Sequence, residues 1–381
     1  MKTDLRSLYK DELYSLMAEL SGEKYRADQL FMWMHSKLKD GFSEMGNIPK
    51  KLKDSLDQAG YGINPSENVL VLRSKLDGTR KYLFRLWDGN IIESVFMQYE
   101  HGNTVCVSSQ AGCRMGCRFC ASTIDGLVRN LEPSEMLSQV YAIARDEAAA
   151  GPDSEKAGKN AGLNGDPVSN VVIMGSGEPL DNYDNVIRFI RLLNDKDGLN
   201  ISQRNITLST CGIVPGIRRL IEEDLKINLA LSLHAPNDEK RKQLMPIANK
   251  YGISEILDAC VDYYNSNRRR LTIEYSLIKG VNDSDEDAAE LSHLLRGMNV
   301  LVNLIPVNPV RERDYQSTGQ ARVRAFQNKL EKNNINVTIR RELGRDIEGA
   351  CGQLRRRYEA RTGSGKDRNN DRGDESSAGT D

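Results

Sequence analysis

The stretch Ser108-Ser109-Gln110-Ala111-Gly112-Cys113-Arg114-Met115-Gly116-Cys117-Arg118-Phe119-Cys120-Ala121-Ser122 sets three cysteines in a CxxxCxxC spacing. Thiolates are soft ligands that favour iron-sulfur clusters, zinc or Cu(I). A closed structural site wants a fourth protein ligand, and neither His101 nor another cysteine lies at a suitable short spacing beyond the trio. Cys113, Cys117 and Cys120 therefore suit a cluster held by three of its four irons, with the last iron open to another molecule.

Working outward, the hydrophobic period changes twice along the chain. From Asp4 to about Asp57 apolar residues recur at helical spacing, as in Leu13, Leu16, Met17 and Leu20, with Ile48-Pro49 as a breaker. From Val69 to Met97 the pattern is that of β-hairpins, with Asp77-Gly78 and Asp88-Gly89-Asn90 as turns. Beyond it, strand-like runs at 103–109, 170–175, 205–210, 226–233, 271–278 and 300–306 alternate with helical stretches near 133–149, 182–194, 214–223, 254–265, 285–297 and 319–333. Six βα units in series predict parallel strands with helices outside, as an open α/β sheet or an incomplete barrel. The expected organisation is a helical unit over 1–62, a β-rich extension over 63–100 and the α/β arc over 101–358. Residues 150–169, rich in Gly, Asn, Asp and Pro, read as a surface insertion, and 359–381 as a disordered tail.

Lys and Arg number 53 against 54 Asp and Glu, so global charge announces no nucleic-acid partner. Binding to RNA would fall to local clusters: Arg218-Arg219, Lys240-Arg241-Lys242, Arg268-Arg269-Arg270, Arg340-Arg341 and Arg355-Arg356-Arg357. Each alone reads first as a solvated face. Seven cysteines, an odd number with four scattered, argue against a secreted disulfide framework and for a cytoplasmic protein. The charged start is no signal peptide, and no apolar run is long enough for a membrane span.

A second constellation, Val171-Val172-Ile173-Met174-Gly175-Ser176-Gly177-Glu178-Pro179-Leu180, is an apolar strand entering a glycine-rich turn with one carboxylate. Bare backbone lets the chain approach a ligand closely, and Glu178 with nearby carbonyls could hold an ammonium group. Ser209 and Thr210 close the next strand, Ser232, Leu233 and His234 the one after, and Asn308 follows the sixth. Carboxyl ends of parallel strands share one mouth, so these groups are expected around one cavity. Cys106 precedes the cysteine loop by seven residues, and Cys351 sits between glycines near the C-terminus. Cys211 and Cys260 have no such setting and read as core or surface thiols.

The CxxxCxxC loop, followed one βα unit later by the Gly-Glu turn, resembles the radical S-adenosylmethionine (SAM) enzymes. Phe119 to Thr123, Met174 to Leu180, Leu208 to Pro215, Leu229 to Pro236, Leu244 to Ile247 and above all Ile339-Arg340-Arg341-Glu342-Leu343-Gly344-Arg345-Asp346-Ile347 through Leu354 look like the RlmN-type rRNA/tRNA adenine carbon-2 methyltransferases. The likeness covers residues 5–358. Departures are small, such as Ser176 where many relatives carry Met.

The resemblance implies an incomplete (βα)6 TIM-like radical SAM barrel with a small helical N-terminal accessory domain. It also implies one [4Fe-4S] cluster on Cys113, Cys117 and Cys120, and SAM as methyl donor and radical source. Gly177, Glu178, Ser209, Ser232, Leu233, His234 and Asn308 match the SAM-holding positions. Cys351 matches the methyl-carrying cysteine, Cys106 its resolving thiol and Glu93 the proton acceptor. Expected partners are 23S rRNA, tRNA and an external electron donor, with no membrane and a monomeric chain. Two alternatives stay open at this level: a Cfr-like sibling that methylates carbon 8 of the same rRNA adenine, and a non-catalytic metal- or RNA-binding module.

Overall fold

The computed structural model describes residues 2–20, 22–100, 102–149, 167–310, 312–347 and 353–362, with the side chains of 353 and 360–362 excepted. The chain opens with a short strand β1 (Thr3–Asp4), then helices α1 (Lys10–Glu19), α2 (Tyr25–Phe31) and α3 (Lys50–Gln58), and closes this unit with β2 (Tyr61–Gly62) paired parallel to β1. Leu13, Leu16 and Met17 of α1 are buried, as their spacing predicts, and Pro49 caps the start of α3. Arg6 is fully buried here, its guanidinium forked onto Asp4 at 3.1 and 2.7 Å with Asp40 at 3.6 Å.

Next come β3 (Glu67–Arg73), β4 (Arg80–Arg85), β5 (Ile91–Tyr99) and β6 (Gly102–Cys106), each antiparallel to the one before. A small antiparallel pair, β7 (Gln110–Gly112) and β8 (Leu127–Asn130), brackets the cysteine loop. Then α4 (Pro133–Ala149), β9 (Asn170–Ile173), α5 (Tyr183–Asn194), β10 (Ile206–Thr210), α6 (Val214–Glu222) and β11 (Asn228–Ser232) alternate. They are followed by α7 (Asp238–Leu244), α8 (Ile253–Asn267), β12 (Leu271–Leu277), α9 (Asp285–Leu294), β13 (Val300–Pro306), α10 (Gln320–Lys332), β14 (Asn336–Ile339) and α11 (Gln353–Thr362).

One ten-stranded sheet runs in the order β14-β13-β12-β11-β10-β9-β6-β5-β4-β3. From β6 to β14 every pairing is parallel. The arc thus has the expected six parallel strands plus a seventh, β14, which the sequence reading did not assign. The hairpin strands β3 to β5 continue the same sheet instead of standing apart as a linker. β14 and β3 lie at opposite edges, so the barrel is incomplete. Helix α7 was also unexpected, because its residues read as a solvated basic cluster. Helix α11 reaches Thr362, so 359–362 do not belong to the tail, whose remainder lies outside the described residues along with 150–166 of the insertion.

The helical unit packs on the outside of the arc. His35 Nδ1 meets the Tyr141 hydroxyl of α4 at 2.7 Å, the Ser134 N–H donates to Ser7 Oγ at 3.1 Å, and Arg145 donates to the Leu38 carbonyl at 2.7 Å. No described helix is long and apolar enough to cross a membrane.

Candidate active site

Strand register fixes the mouth. Cys106 pairs with Val172, Thr210 with Leu231, Ser232 with Glu274, Leu277 with Pro306 and Leu304 with Ile339, so successive carboxyl ends share one edge. A cavity of about 730 Å³ opens there, and Cys106, Cys113, Cys117, Cys120, Gly177, Glu178, Ser209, Ser232, His234 and Asn308 all line it. Six strand-end and loop segments thus meet at one place.

The cysteine loop is held by its backbone. Cys113 N–H donates to the Gly126 carbonyl at 2.9 Å, Cys120 N–H to the Cys117 carbonyl at 3.1 Å, and Thr123 Oγ1 to the carbonyls of Cys117 and Cys120 at 2.9 and 3.0 Å. Burial pushes the Cys113 thiol up to about 12 and the Cys117 thiol well above its ordinary value, with the neighbouring thiols adding to the rise. Such groups ionise only where a cation replaces the lost water, which is what a metal centre does to its thiols.

The glycine turn works differently from its sequence reading. A Cβ on Gly175 would stand 2.6 Å from Ser108 Oγ, and one on Gly177, whose φ is +110°, 2.6 Å from Gln110 Cβ. The missing side chains let the turn lie against the Ser108–Gln110 segment, where the Ser176 carbonyl accepts the N–H groups of Ser109 and Gln110 at 2.9 and 3.1 Å. Glu178 N–H donates to Gln110 Oε1 at 2.8 Å, and its buried carboxylate accepts the N–H of Leu180 at 3.1 Å and of Cys211 at 2.7 Å. Burial raises the Glu178 pKa against those hydrogen bonds. The Thr210 and Cys211 side chains add to those hydrogen bonds, and the carboxylate lines the cavity.

Ser209 and Ser232 meet through their hydroxyls at 3.3 Å. His234 adopts φ +56° and accepts the Ser276 N–H on Nδ1 at 2.9 Å, which leaves the proton of its neutral ring on Nε2. Burial, then the Arg241 charge, lower its pKa to about 3. The Phe119 ring sits edge-on to it at 4.9 Å. Leu233 is fully buried and stands outside the cavity wall; only its backbone is engaged, through the Glu274 and Arg241 contacts. Asn308 is exposed at the rim.

Glu93 lies on β5, on the same face as Val95 and Met97, which line the cavity. Its carboxylate meets Lys81 Nζ at 3.1 Å and the Arg355 N–H at 2.6 Å. Cys351 lies outside the described residues, but both flanks are anchored. Before it, Asp346 accepts Ser74 Oγ at 2.7 Å and the Lys75 N–H at 2.8 Å, and the Gly344 N–H reaches Asp77 at 2.8 Å. After it, Arg355 and Arg356 donate to Asp125, beside the cysteine loop, at 3.2 and 2.7 Å. Arg355 is therefore buried and engaged internally, whereas Arg340 and Arg341 line the cavity. Cys211, which the sequence reading left aside, lines the cavity directly after β10; its place behind a polar strand end was the only signal.

A parallel α/β arc with three clustered thiols and a glutamate turn at its mouth defines a radical SAM protein. The Radical SAM superfamily model matches residues 107–292, and that of the ribosomal RNA large subunit methyltransferase N-terminal domain matches residues 3–61. The chain is 59% identical over 356 residues to the probable dual-specificity RNA methyltransferase RlmN of Lachnospira eligens, covering 93% of this chain and 97% of that protein. The protein of the same name from Lachnoclostridium phytofermentans is 53% identical over 361 residues, covering 95% and 96%. A crystal structure of a radical SAM methyltransferase from Sphaerobacter thermophilus matches with a TM-score of 0.85 at 41% identity, covering 92% of this chain and 98% of that one. The chain belongs to the RlmN family of radical SAM RNA methyltransferases. That membership removes the non-catalytic binding module from consideration.

The residues fit the cluster this superfamily implies. Among the described residues no three His, Cys, Asp or Glu side chains are grouped for a single metal ion. A cluster asks for something else, three thiols around one cavity, each taking its own iron, and Cys113, Cys117 and Cys120 line one cavity.

Proposed function

We propose that this enzyme methylates carbon 2 of adenine in 23S rRNA and in tRNA, by way of a methylated cysteine and a covalent RNA–protein adduct. The observation that carries the reading is the meeting of Cys106, the three cluster cysteines and Glu178 around one cavity, with both anchors of the Cys351 segment beside it. Carbon 2 lies between two ring nitrogens and is electron-poor, so it is a poor nucleophile toward a sulfonium methyl.

When bound, a [4Fe-4S] cluster and SAM would together supply an electrophilic methyl and the means to abstract a hydrogen atom. Cys113, Cys117 and Cys120 would hold the cluster; Gly177, Glu178, Ser209, Ser232, His234 and Asn308 would hold SAM, with Leu233 behind them contributing only to the backbone path between Ser232 and His234. The Cys351 sulfur takes the methyl first, because a thiolate is the nucleophile that adenine carbon 2 is not. After loss of a hydrogen atom, that sulfur-bound carbon joins adenine carbon 2, and the unpaired electron of the adduct would return to the cluster that supplied it. Glu93 accepts the proton displaced from the ring, helped by a location on the cavity face of β5. Cys106 attacks the Cys351 sulfur as a thiolate, the sulfur–carbon bond breaks, the freed carbon takes up a proton to become the methyl group of the RNA, and a disulfide is left that an external reductant reopens. The target base must leave its stack to enter the mouth, and Arg340 and Arg341 are suited to the adjoining phosphates. Residues 1–62 act as the accessory domain and 101–358 as the catalytic barrel of a cytoplasmic monomer supplied by an external electron donor.

Anaerobic turnover on defined RNA tests this. Cys106→Ala should trap a covalent RNA–protein species, and Cys351→Ala should form none. RNA carrying deuterium only at adenine carbon 2 should lose it on methylation; full retention in methylated product would instead indicate the carbon-8 sibling.

A further inference from the structure

We propose that Arg241 is a positioning residue that ties the SAM-binding strand ends to the cluster loop and supplies the buried positive charge of that site. The sequence presents it as the middle of a basic triplet, Lys240-Arg241-Lys242. In the fold Arg241 is fully buried, while Lys242 stays exposed. Its Nη2 donates to the Cys211 carbonyl at 2.6 Å and to the Ser232 carbonyl at 3.4 Å, and its Nε to the Leu233 carbonyl at 3.2 Å. One guanidinium thus bridges the segments that follow β10 and end β11. The Cys211 peptide is gripped from both sides, since its N–H donates to Glu178 at 2.7 Å.

The same helix is docked on the cysteine loop. Arg118 N–H donates to the Leu244 carbonyl at 2.9 Å, and Leu244 and Met245 pack with Met115, Cys117 and Phe119. Helix α7 is therefore a strut between loop and strand ends, with Arg241 as its inner bolt.

The charge is what makes the arrangement unusual. No carboxylate among the described residues lies within salt-bridge reach of Arg241, and its Nη1 has no hydrogen-bond partner there. A buried guanidinium without a paired carboxylate is costly; neutral carbonyls, and the Asp238 charge at longer range on the same helix, repay only part of that. Cys211, whose carbonyl Arg241 holds, packs in one cluster with Cys117 of the cysteine loop. A [4Fe-4S] core of charge +2 on three thiolates carries a net −1, and −2 once reduced. A cation near it therefore favours the reduced form and raises the midpoint potential.

The inference rests on the cluster and SAM alone, and its readouts use no RNA, so it can fail while the adenine chemistry stands, or the reverse. The test takes the full chain, anaerobically loaded with cluster, as wild type, Arg241→Gln and Arg241→Lys. The midpoint is followed by the paramagnetic signal of the reduced cluster, and SAM binding by the change in that signal. Arg241→Gln should titrate at a more negative potential and bind SAM on the order of tenfold more weakly. Arg241→Lys keeps a charge but loses the fork, so its midpoint should fall closer to wild type while SAM affinity drops as in Gln. Wild-type potential and affinity in Arg241→Gln would overturn the proposal. Should that variant fail to load cluster, wild-type SAM affinity in Arg241→Lys would overturn it equally.

Discussion

Two fully buried arginines, Arg6 in the helical unit and Arg241 beneath the mouth, show how differently these regions use charge. Arg6 is neutralised within its own unit, where Asp4 and Asp40 outweigh the effect of burial and hold its pKa raised. Among the described residues the Arg241 hydrogen bonds go to carbonyls, and burial lowers its pKa. Two buried histidines differ in place more than in charge. His35 meets Tyr141 at the seam between unit and arc, whereas His234 stands in the cavity wall. One region answers its buried cation with carboxylates; the other holds its cation on carbonyls beside the cavity.

Breaking the carboxylate-paired cation should cost the most stability. Asp4→Ala strands the Arg6 charge and should lower folding free energy by about 3–5 kcal/mol in chemical denaturation. It should leave the absorption of a loaded cluster unchanged. If that absorption collapses with it, the two regions are not electrostatically separate.

The histidine pair sharpens the comparison through pH. Burial lowers both pKa values from 6.5 to about 3. The unfolded chain therefore binds more protons between those values, and stability is full above pH 6.5 and falls toward pH 3. Each histidine should cost about 1.4 kcal/mol per pH unit below 6.5. His35→Gln should flatten this acid limb by one histidine's share with SAM binding intact, while His234→Gln should flatten it and also weaken SAM binding. Equal effects on SAM binding would erase the distinction.

The smallest effect concerns the seam itself. Glu12 on α1 pairs with Arg188 on α5, both partly exposed. Glu12→Gln should cost less than about 1 kcal/mol of stability, and a larger loss would mean the unit depends on surface pairs more than on its buried core.

The parts legible in sequence were those whose signal is local. The CxxxCxxC loop, the strand runs closing at Ser209 and Ser232 and the turns at Asp77-Gly78 and Asp88-Gly89-Asn90 all carry their meaning within a few residues. β14 escaped because it is a four-residue edge strand, half-exposed. That β3 to β5 extend the main sheet depends on β5 pairing with β6, where outward pattern is the same for a separate hairpin. The burial of Arg241 left no trace at all: a turn of helix sends it inward between two surface lysines, and composition sees three cations. The glycine turn was found for an incomplete reason, since Gly175 and Gly177 are bare to fit Ser108 and Gln110 as well as any ligand.

The central claim is that the methyl group travels through Cys351. It is tested most directly by mass spectrometry of the Cys351 peptide after anaerobic incubation of the cluster-loaded protein with SAM bearing a deuterated methyl. The expected result is one labelled methyl on the Cys351 sulfur, passed on to RNA when turnover is allowed. Labelled RNA produced while Cys351 never carries the label would contradict it.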